Sequence, residues 1–256
     1  MISKNKFRQI VSLQKKKERD ESRTYVIEGD KIVREYLKSG TRIKLLVAKP
    51  EFVSSLKISE KECIGEIETC NYEELKKIST LTAPHNALAL VSYPDSRTDP
   101  AEILRELSVA LDFVQDPGNL GTIIRSAAWF GIRNIICSFN CVDLYNPKVI
   151  QATMGAILNV NVHYMSLNEF LKTANDSGVP VYGALLEGNR IYDESFERRG
   201  VILLGNESKG ISEELTPFIT KKIYIPKYTD ASYGIESLNV SMAASVIFSE
   251  FARRNG

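Results

Sequence analysis

Two rhythms of apolar and polar positions divide the chain. From residue 108 onward, short runs rich in valine and isoleucine recur at 108–114 (SVALDFV), 134–139 (NIICSF), 161–165 (NVHYM), 180–186 (PVYGALL), 200–205 (GVILLG) and 222–226 (KIYIP). Helical patterns fall between most of them, at 119–130, 146–156, 167–176 and 211–219, and a last one covers 237–254. Strands that are apolar on both faces and separated by helices predict a parallel sheet covered by helices on both sides. The earlier part has a different pattern. Residues 24–38 read as a strand end running into a helix with Ile32, Val33, Tyr36 and Leu37 on one face, 41–49 as a strand, 71–79 as a short helix and 87–93 as a strand. A small α/β domain therefore fits residues 1–95. The polar stretch YPDSRTDP at 93–100 marks a break, which places a linker at 96–107 and a second domain at 108–256.

Composition narrows the class. Of 256 residues, 43% are hydrophobic and 25% charged, which excludes a disordered or fibrous chain. No apolar run approaches the roughly 18 residues of a membrane span, and the N-terminus has charge but no apolar core of a secretory signal. Cys63, Cys70, Cys137 and Cys141 show no disulfide or zinc spacing and read as reduced thiols of a cytoplasmic protein. With only two histidines, His85 and His163, neither a zinc site nor a hydrolase built on a histidine base is expected.

The net charge of +1 hides an asymmetry: residues 1–50 carry +8, residues 51–110 carry −5 and residues 111–256 carry −2. The basic excess peaks at Lys4, Lys6, Arg8, Lys15, Lys16, Lys17 and Arg19. It reads as a flexible arm that binds a polyanion such as RNA, or as a solvated helix face.

Three loops following strands carry candidate chemistry, since sites in open α/β sheets form beyond the C-terminal ends of strands. The first is QDPGNLGTIIRS at 115–126, in which Asn119 fits a helix N-cap and Arg125 falls about two turns into the helix. The second is LLGNESKGI at 203–211, where Gly205 would let a ligand approach the backbone. The third follows Ile225-Pro226 and reads SYGIESLNVSMAAS at 232–245, with Ser237 as a helix cap and Ala243, Ala244 and Ser245 suited to close helix packing. There is neither a G-x-G-x-x-G after the first strand of the sheet nor a G-x-x-x-x-G-K-[ST] motif, so ordinary dinucleotide and phosphate-loop readings fail.

Together, D-x-x-x-D-P-G-N-L-G-x-x-x-R-S-A (Asp112 to Ala127), L-G-N-E-x-x-G (Leu204 to Gly210) and I-P…E-S-L-N-V-S-x-A-A (Ile225 to Ala244) resemble, in order and separation, the three motifs of the SpoU (TrmH-type) RNA ribose 2′-O-methyltransferases. The N-terminal part is similar to that family's substrate-binding domain, a ribosomal-protein-like RNA-binding fold, through Val26-Ile27-Glu28-Gly29 to Leu37 and Ala89-Leu90-Val91. His85-Asn86 departs from a Gln-Gly-like pair found in relatives. The resemblance implies a deep trefoil knot, an exception to the rule that chains do not thread loops. It also implies a homodimer and S-adenosylmethionine as methyl donor. The donor would be held at Leu204, Gly205, Ile225, Ser237 and Leu238, with catalytic positions at Arg125, Asn119, Glu207 and Asn239.

The chemistry is consistent with those residues. A sulfonium methyl group is already electrophilic, so no metal is needed. The difficult part is a ribose hydroxyl that must lose its proton and align with the methyl group. Arginine is a poor base. Arg125 therefore either takes the proton in a special setting or orients the substrate phosphate and stabilises the developing alkoxide. The layout points to ribosomal RNA. A transfer-RNA ribose methyltransferase, a non-catalytic RNA-binding assembly factor and a methyltransferase of a base or small molecule stand as alternatives.

Overall fold

The computed structural model describes residues 2–94, 99–229, 234 and 237–255. In chain order the elements are α1 (Lys4–Ser12), α2 (Lys16–Ser22), β1 (Thr24–Glu28), α3 (Asp30–Lys38), β2 (Ile43–Ala48), α4 (Pro50–Ser54), α5 (Ile58–Glu62), β3 (Ile67–Thr69), α6 (Tyr72–Ile78) and β4 (Ala87–Ser92). They continue with α7 (Pro100–Ile103), β5 (Leu107–Leu111), α8 (Pro117–Trp129), β6 (Asn134–Cys137), α9 (Pro147–Thr153), β7 (Asn161–Tyr164), α10 (Leu167–Asp176), β8 (Val181–Arg190), β9 (Gly200–Leu204), β10 (Lys221–Tyr224) and α11 (Val240–Asn255). The chain forms two compact units, Met1–Ser96 with Asp143–Leu158, and Arg97–Val142 with Asn159–Gly256.

The first unit is built on a four-stranded sheet in the order β1-β4-β2-β3, with β4 antiparallel to both neighbours and β3 parallel to β2. β1, β2 and β4 are largely buried on both faces, whereas the edge strand β3 is mostly exposed. Ile32, Val33, Tyr36 and Leu37, the predicted apolar face of α3, pack in one core cluster that also takes Ile150 of α9. Ile10 and Leu13 join Leu75 and Ile78 of α6 in the other. The predicted helix at 146–156 therefore belongs to this unit and not to the parallel sheet; its Gln151 donates to the Glu28 carbonyl at 2.9 Å.

The flexible basic arm is corrected by this packing. Residues 4–22 are two ordered helices, because Ile10 and Leu13 gain more from the core than a solvated arm would keep in entropy. Arg19 is withdrawn from the RNA-binding set. It is 2% exposed, ion-paired to Asp143 at 2.5 Å, and donates to the carbonyls of Leu13 and Gln14. Lys6 is half-buried and paired with Glu66 and Glu68. Lys4, Arg8, Lys15, Lys16 and Lys17 are exposed.

The second unit is a six-stranded, all-parallel sheet in the order β10-β8-β9-β5-β6-β7, as the continuous apolar runs predict. The expected linker is shorter than 96–107. Asp95 to Thr98 lie outside the described residues, whereas α7 places Ile103 and Leu104 in the unit's core beside Phe170 and Leu171. The helix expected at 211–219 is a 3-10 turn over Glu213–Phe218, since Pro217 inside it has no N–H for an α-helical bond. α8 and α11 pack on each other, with Ala127 and Ala244 fully buried and the Ser126 and Ser245 hydroxyls 2.7 Å apart, so the Ala-Ser stripe does serve close packing.

Candidate functional site

Because every strand of the second sheet runs the same way, the C-terminal ends of β5, β9 and β10 face one edge, and each of the three motif loops leaves from one of them. The loop after β5 enters α8 through Asp116, whose carboxylate accepts from the Asn119 N–H at 2.8 Å, with Pro117 at the first helical position. Asp116 is therefore the cap. This corrects the expectation for Asn119, which sits in the first turn with its side-chain amide available for other partners.

That amide joins all three motifs. Asn119 Nδ2 donates to Glu207 Oε1 at 2.5 Å, and Asn119 Oδ1 accepts from Asn239 Nδ2 at 2.9 Å. Asn239 Oδ1 in turn accepts from Ser241 N at 3.0 Å, Ser241 Oγ at 2.7 Å and Met242 N at 3.3 Å. Asn239 is thus the cap of α11, in place of Ser237, which is exposed. The Glu207 carboxylate lies beside the start of α8 and one amide away from the start of α11. The partial positive charge of helix N-termini favours an anion in that place.

The loop after β9 is closed on itself. Asn206 and Gly210 exchange both backbone hydrogen bonds at 2.9 Å, and Asn206 Oδ1 accepts from the N–H groups of Ser208 and Lys209. Asn206 Nδ2 donates to the Phe113 carbonyl at 2.9 Å, which fastens the second motif loop to the first. A Cβ at Gly205 would lie 2.2 Å from the Gly210 carbonyl carbon. Glycine is therefore required there by the loop's own closure. Asp112, buried at the end of β5, accepts from the N–H and hydroxyl of Ser212 at 2.8 and 2.6 Å, pinning the far end of the same loop. In the sequence Asp112 stands out only as an acid directly after the apolar run at 108–111, and its burial shows that it needs a partner such as Ser212.

Arg125 is exposed two turns into α8 and, among the described residues, makes no hydrogen bond or ion pair. Leu204 is buried at the end of β9 and Gly205 is half-buried. Ile225 is half-buried directly after β10, and Leu238 is half-exposed just before α11. Ser232, Tyr233, Ile235 and Glu236 of the third motif lie outside the described residues. Among the described residues there is no group of three or more His, Cys, Asp or Glu placed to hold a metal ion.

A parallel α/β sheet has its three strand-end loops tied by an Asn-Glu-Asn network, and Arg125 is exposed on the helix that the first loop enters; together these make a candidate loop-built site. Residues 106–249 match the SpoU rRNA Methylase family, and residues 4–89 match the MRM3-like substrate binding domain. The chain belongs to the SpoU rRNA methylase family. It is 28% identical over 236 residues to the 23S rRNA (guanosine(2553)-2′-O)-methyltransferase RlmP of Bacillus subtilis, covering 92% of this chain and 91% of that one. Among solved structures, a TrmH-family RNA methyltransferase structure from Porphyromonas gingivalis is 33% identical with a TM-score of 0.89 and full coverage of both chains. An AdoMet-bound rRNA methyltransferase from Sinorhizobium meliloti is 28% identical with a TM-score of 0.85, covering 100% of this chain and 97% of that chain.

Proposed function

We propose that this protein transfers the methyl group of S-adenosylmethionine to a ribose 2′-hydroxyl of ribosomal RNA. The observation that carries the reading is the Asn119 bridge from Glu207 to Asn239, which ties the three motif loops together at the start of the helix that exposes Arg125. The relatives named for rRNA 2′-O-methylation and for bound AdoMet support both the reaction and the donor.

The donor set suits such a cofactor. The loop segments that would hold it, at Leu204-Gly205, Ile225 and Ser237-Leu238, offer mainly backbone groups and apolar side chains, which match an adenine ring and the carbons around a sulfonium better than they match a metal. S-adenosylmethionine supplies an electrophilic methyl group when bound. Arg125 engages the phosphate next to the target nucleotide and stabilises the 2′-oxygen as its proton passes to that phosphate, an effect typically worth about 3–4 kcal/mol for one donor. Asn119, Glu207 and Asn239 fix the loop ends around both reactants.

In this reading the catalytic part forms a deep trefoil knot around the cofactor and acts as a homodimer. Trp129 at the end of α8 is 84% exposed and Met242 on α11 is 57% exposed, on two helices that already pack together, which supports a second copy covering them. Residues 1–95 bind the RNA, with Lys4, Arg8, Lys15, Lys16 and Lys17 available for phosphates. Four free cysteines suit a cytoplasmic setting.

The test is transfer of labelled methyl groups into ribosomal RNA from a strain lacking the gene, followed by nuclease digestion. Arg125→Ala should lower kcat about 100- to 1,000-fold while calorimetry shows nearly unchanged cofactor affinity. Wild-type turnover by that variant, or label recovered in a base, would overturn the assignment.

A further inference from the structure

We propose that Phe139 is a stacking platform for a nucleobase of the RNA substrate, a positioning residue for the reaction; this rests on the site being an RNA methyltransferase centre. Phe139 is 71% exposed at the tip of the turn that follows β6, the strand next to β5. A single exposed phenylalanine is ordinary. The turn beneath this one is not loose, however. Ser138 N donates to the Leu111 carbonyl at 3.0 Å and Val142 N to the Val114 carbonyl at 2.9 Å. Phe113 N donates to Ser138 Oγ at 3.0 Å and Val114 N to Cys141 Sγ at 3.3 Å. The turn is thereby laced on both sides to the start of the first motif.

The same frame carries a cation. Lys209, exposed in the second motif loop, places its ammonium 5.7 Å from the centre of the Phe113 ring, and Phe113 is the residue held by Ser138 and, through its carbonyl, by Asn206. A rigidly presented aromatic ring and a lysine on one hydrogen-bonded frame, at the sheet edge that carries the motif loops, are the pair of groups that grips unstacked nucleotides. The ring takes a base face and the ammonium takes a phosphate. A ribose hydroxyl presented to Arg125 leaves its neighbours unstacked, so an adjacent base gains from a place to stack. Folding supplies no reason to leave this ring in water, since the turn's hydrogen bonds come from Ser138, Cys141 and Val142.

The experiment compares Phe139→Ala, Phe139→Leu and Phe139→Trp in the full chain, with ribosomal RNA from a strain lacking the gene and labelled S-adenosylmethionine. Phe139→Ala and Phe139→Leu should raise KM for RNA by about tenfold, the scale of one lost base stack. Their kcat should stay within about twofold and calorimetric affinity for S-adenosylmethionine should not change, while Phe139→Trp should restore KM. An unchanged KM in the alanine variant, or rescue by leucine as complete as by tryptophan, would overturn the proposal. So would a shift of the alanine variant to a smaller mass in light scattering, which would assign the ring to an interface between copies. Filter binding of the same RNA separates the two levels of inference: weaker binding by the alanine variant of an inactive wild type would support the platform and refute the reaction.

Discussion

The replacement of Asn119 by alanine tests whether the loops are held together by side chains or by the fold alone. The substitution removes a donor to the Glu207 carboxylate at 2.5 Å and an acceptor for Asn239 at 2.9 Å. A hydrogen bond to a charged group contributes about 1.5–3 kcal/mol and a neutral one about 0.5–1.5. Glu207 and Asn239 are exposed and Asn119 is half-buried, so the partners left behind recover water, the lower ends apply and the loss is about 2 kcal/mol. The cap of α8 survives, because Asp116 bonds the backbone N–H of residue 119 and not its side chain. The energy is therefore lost from the ordering of the loops that end at Gly205 and Leu238, and it should appear as weaker cofactor binding by up to about 30-fold at 1.4 kcal/mol per decade. Asp116→Ala is the control: it removes the cap and should cost about 1 kcal/mol of stability, a fall in Tm of about 2–4 °C for a chain of this size. Calorimetric titration with S-adenosylmethionine and thermal melts of both variants decide the matter. If Asn119→Ala binds cofactor like the wild type, or melts as early as Asp116→Ala, the bridge does not organise the site.

Two further outcomes follow from the second unit. Gly205→Ala would force its Cβ to within 2.2 Å of the Gly210 carbonyl carbon, so the loop must open; cofactor affinity should drop by more than about tenfold, and an unchanged calorimetric Kd would show that loop closure is dispensable. Arg253 first, and then Arg254, hold the buried Glu250 carboxyl of α11 down at about 2 against the opposing effect of burial. A depressed carboxylate stabilises the fold above its unfolded value near 4.5 and loses that contribution as pH falls toward 2. Screening of the exposed Arg253 reduces the gain to about 1 kcal/mol. Urea unfolding should show wild type above Glu250→Gln at pH 7 and the difference shrinking by pH 3; a gap independent of pH would refute the ion-pair account.

The amino-acid sequence alone determined the α/β character, the all-parallel C-terminal sheet and the three loops that matter. Burial on both faces writes continuous apolar runs, and loops that must turn sharply and cap helices write glycine, asparagine and acids where strands end. Arg125, Asn119, Glu207 and Asn239 were therefore legible as candidates. Which residue caps each helix was not: the local preference for helix starts fits Asn119 and Ser237 as well as Asp116 and Asn239. The choice for Asn119 was made by Asp116 three residues upstream and by Glu207, 88 residues further along the chain. Arg19 marks the same boundary. Its setting among lysines reads as one more phosphate contact, and only the arrival of Asp143, 124 residues away, turns it into a buried ion pair. Capping preference and charge density are local properties of a chain, whereas the partner that fills a side chain's last hydrogen bond is chosen by where distant segments meet.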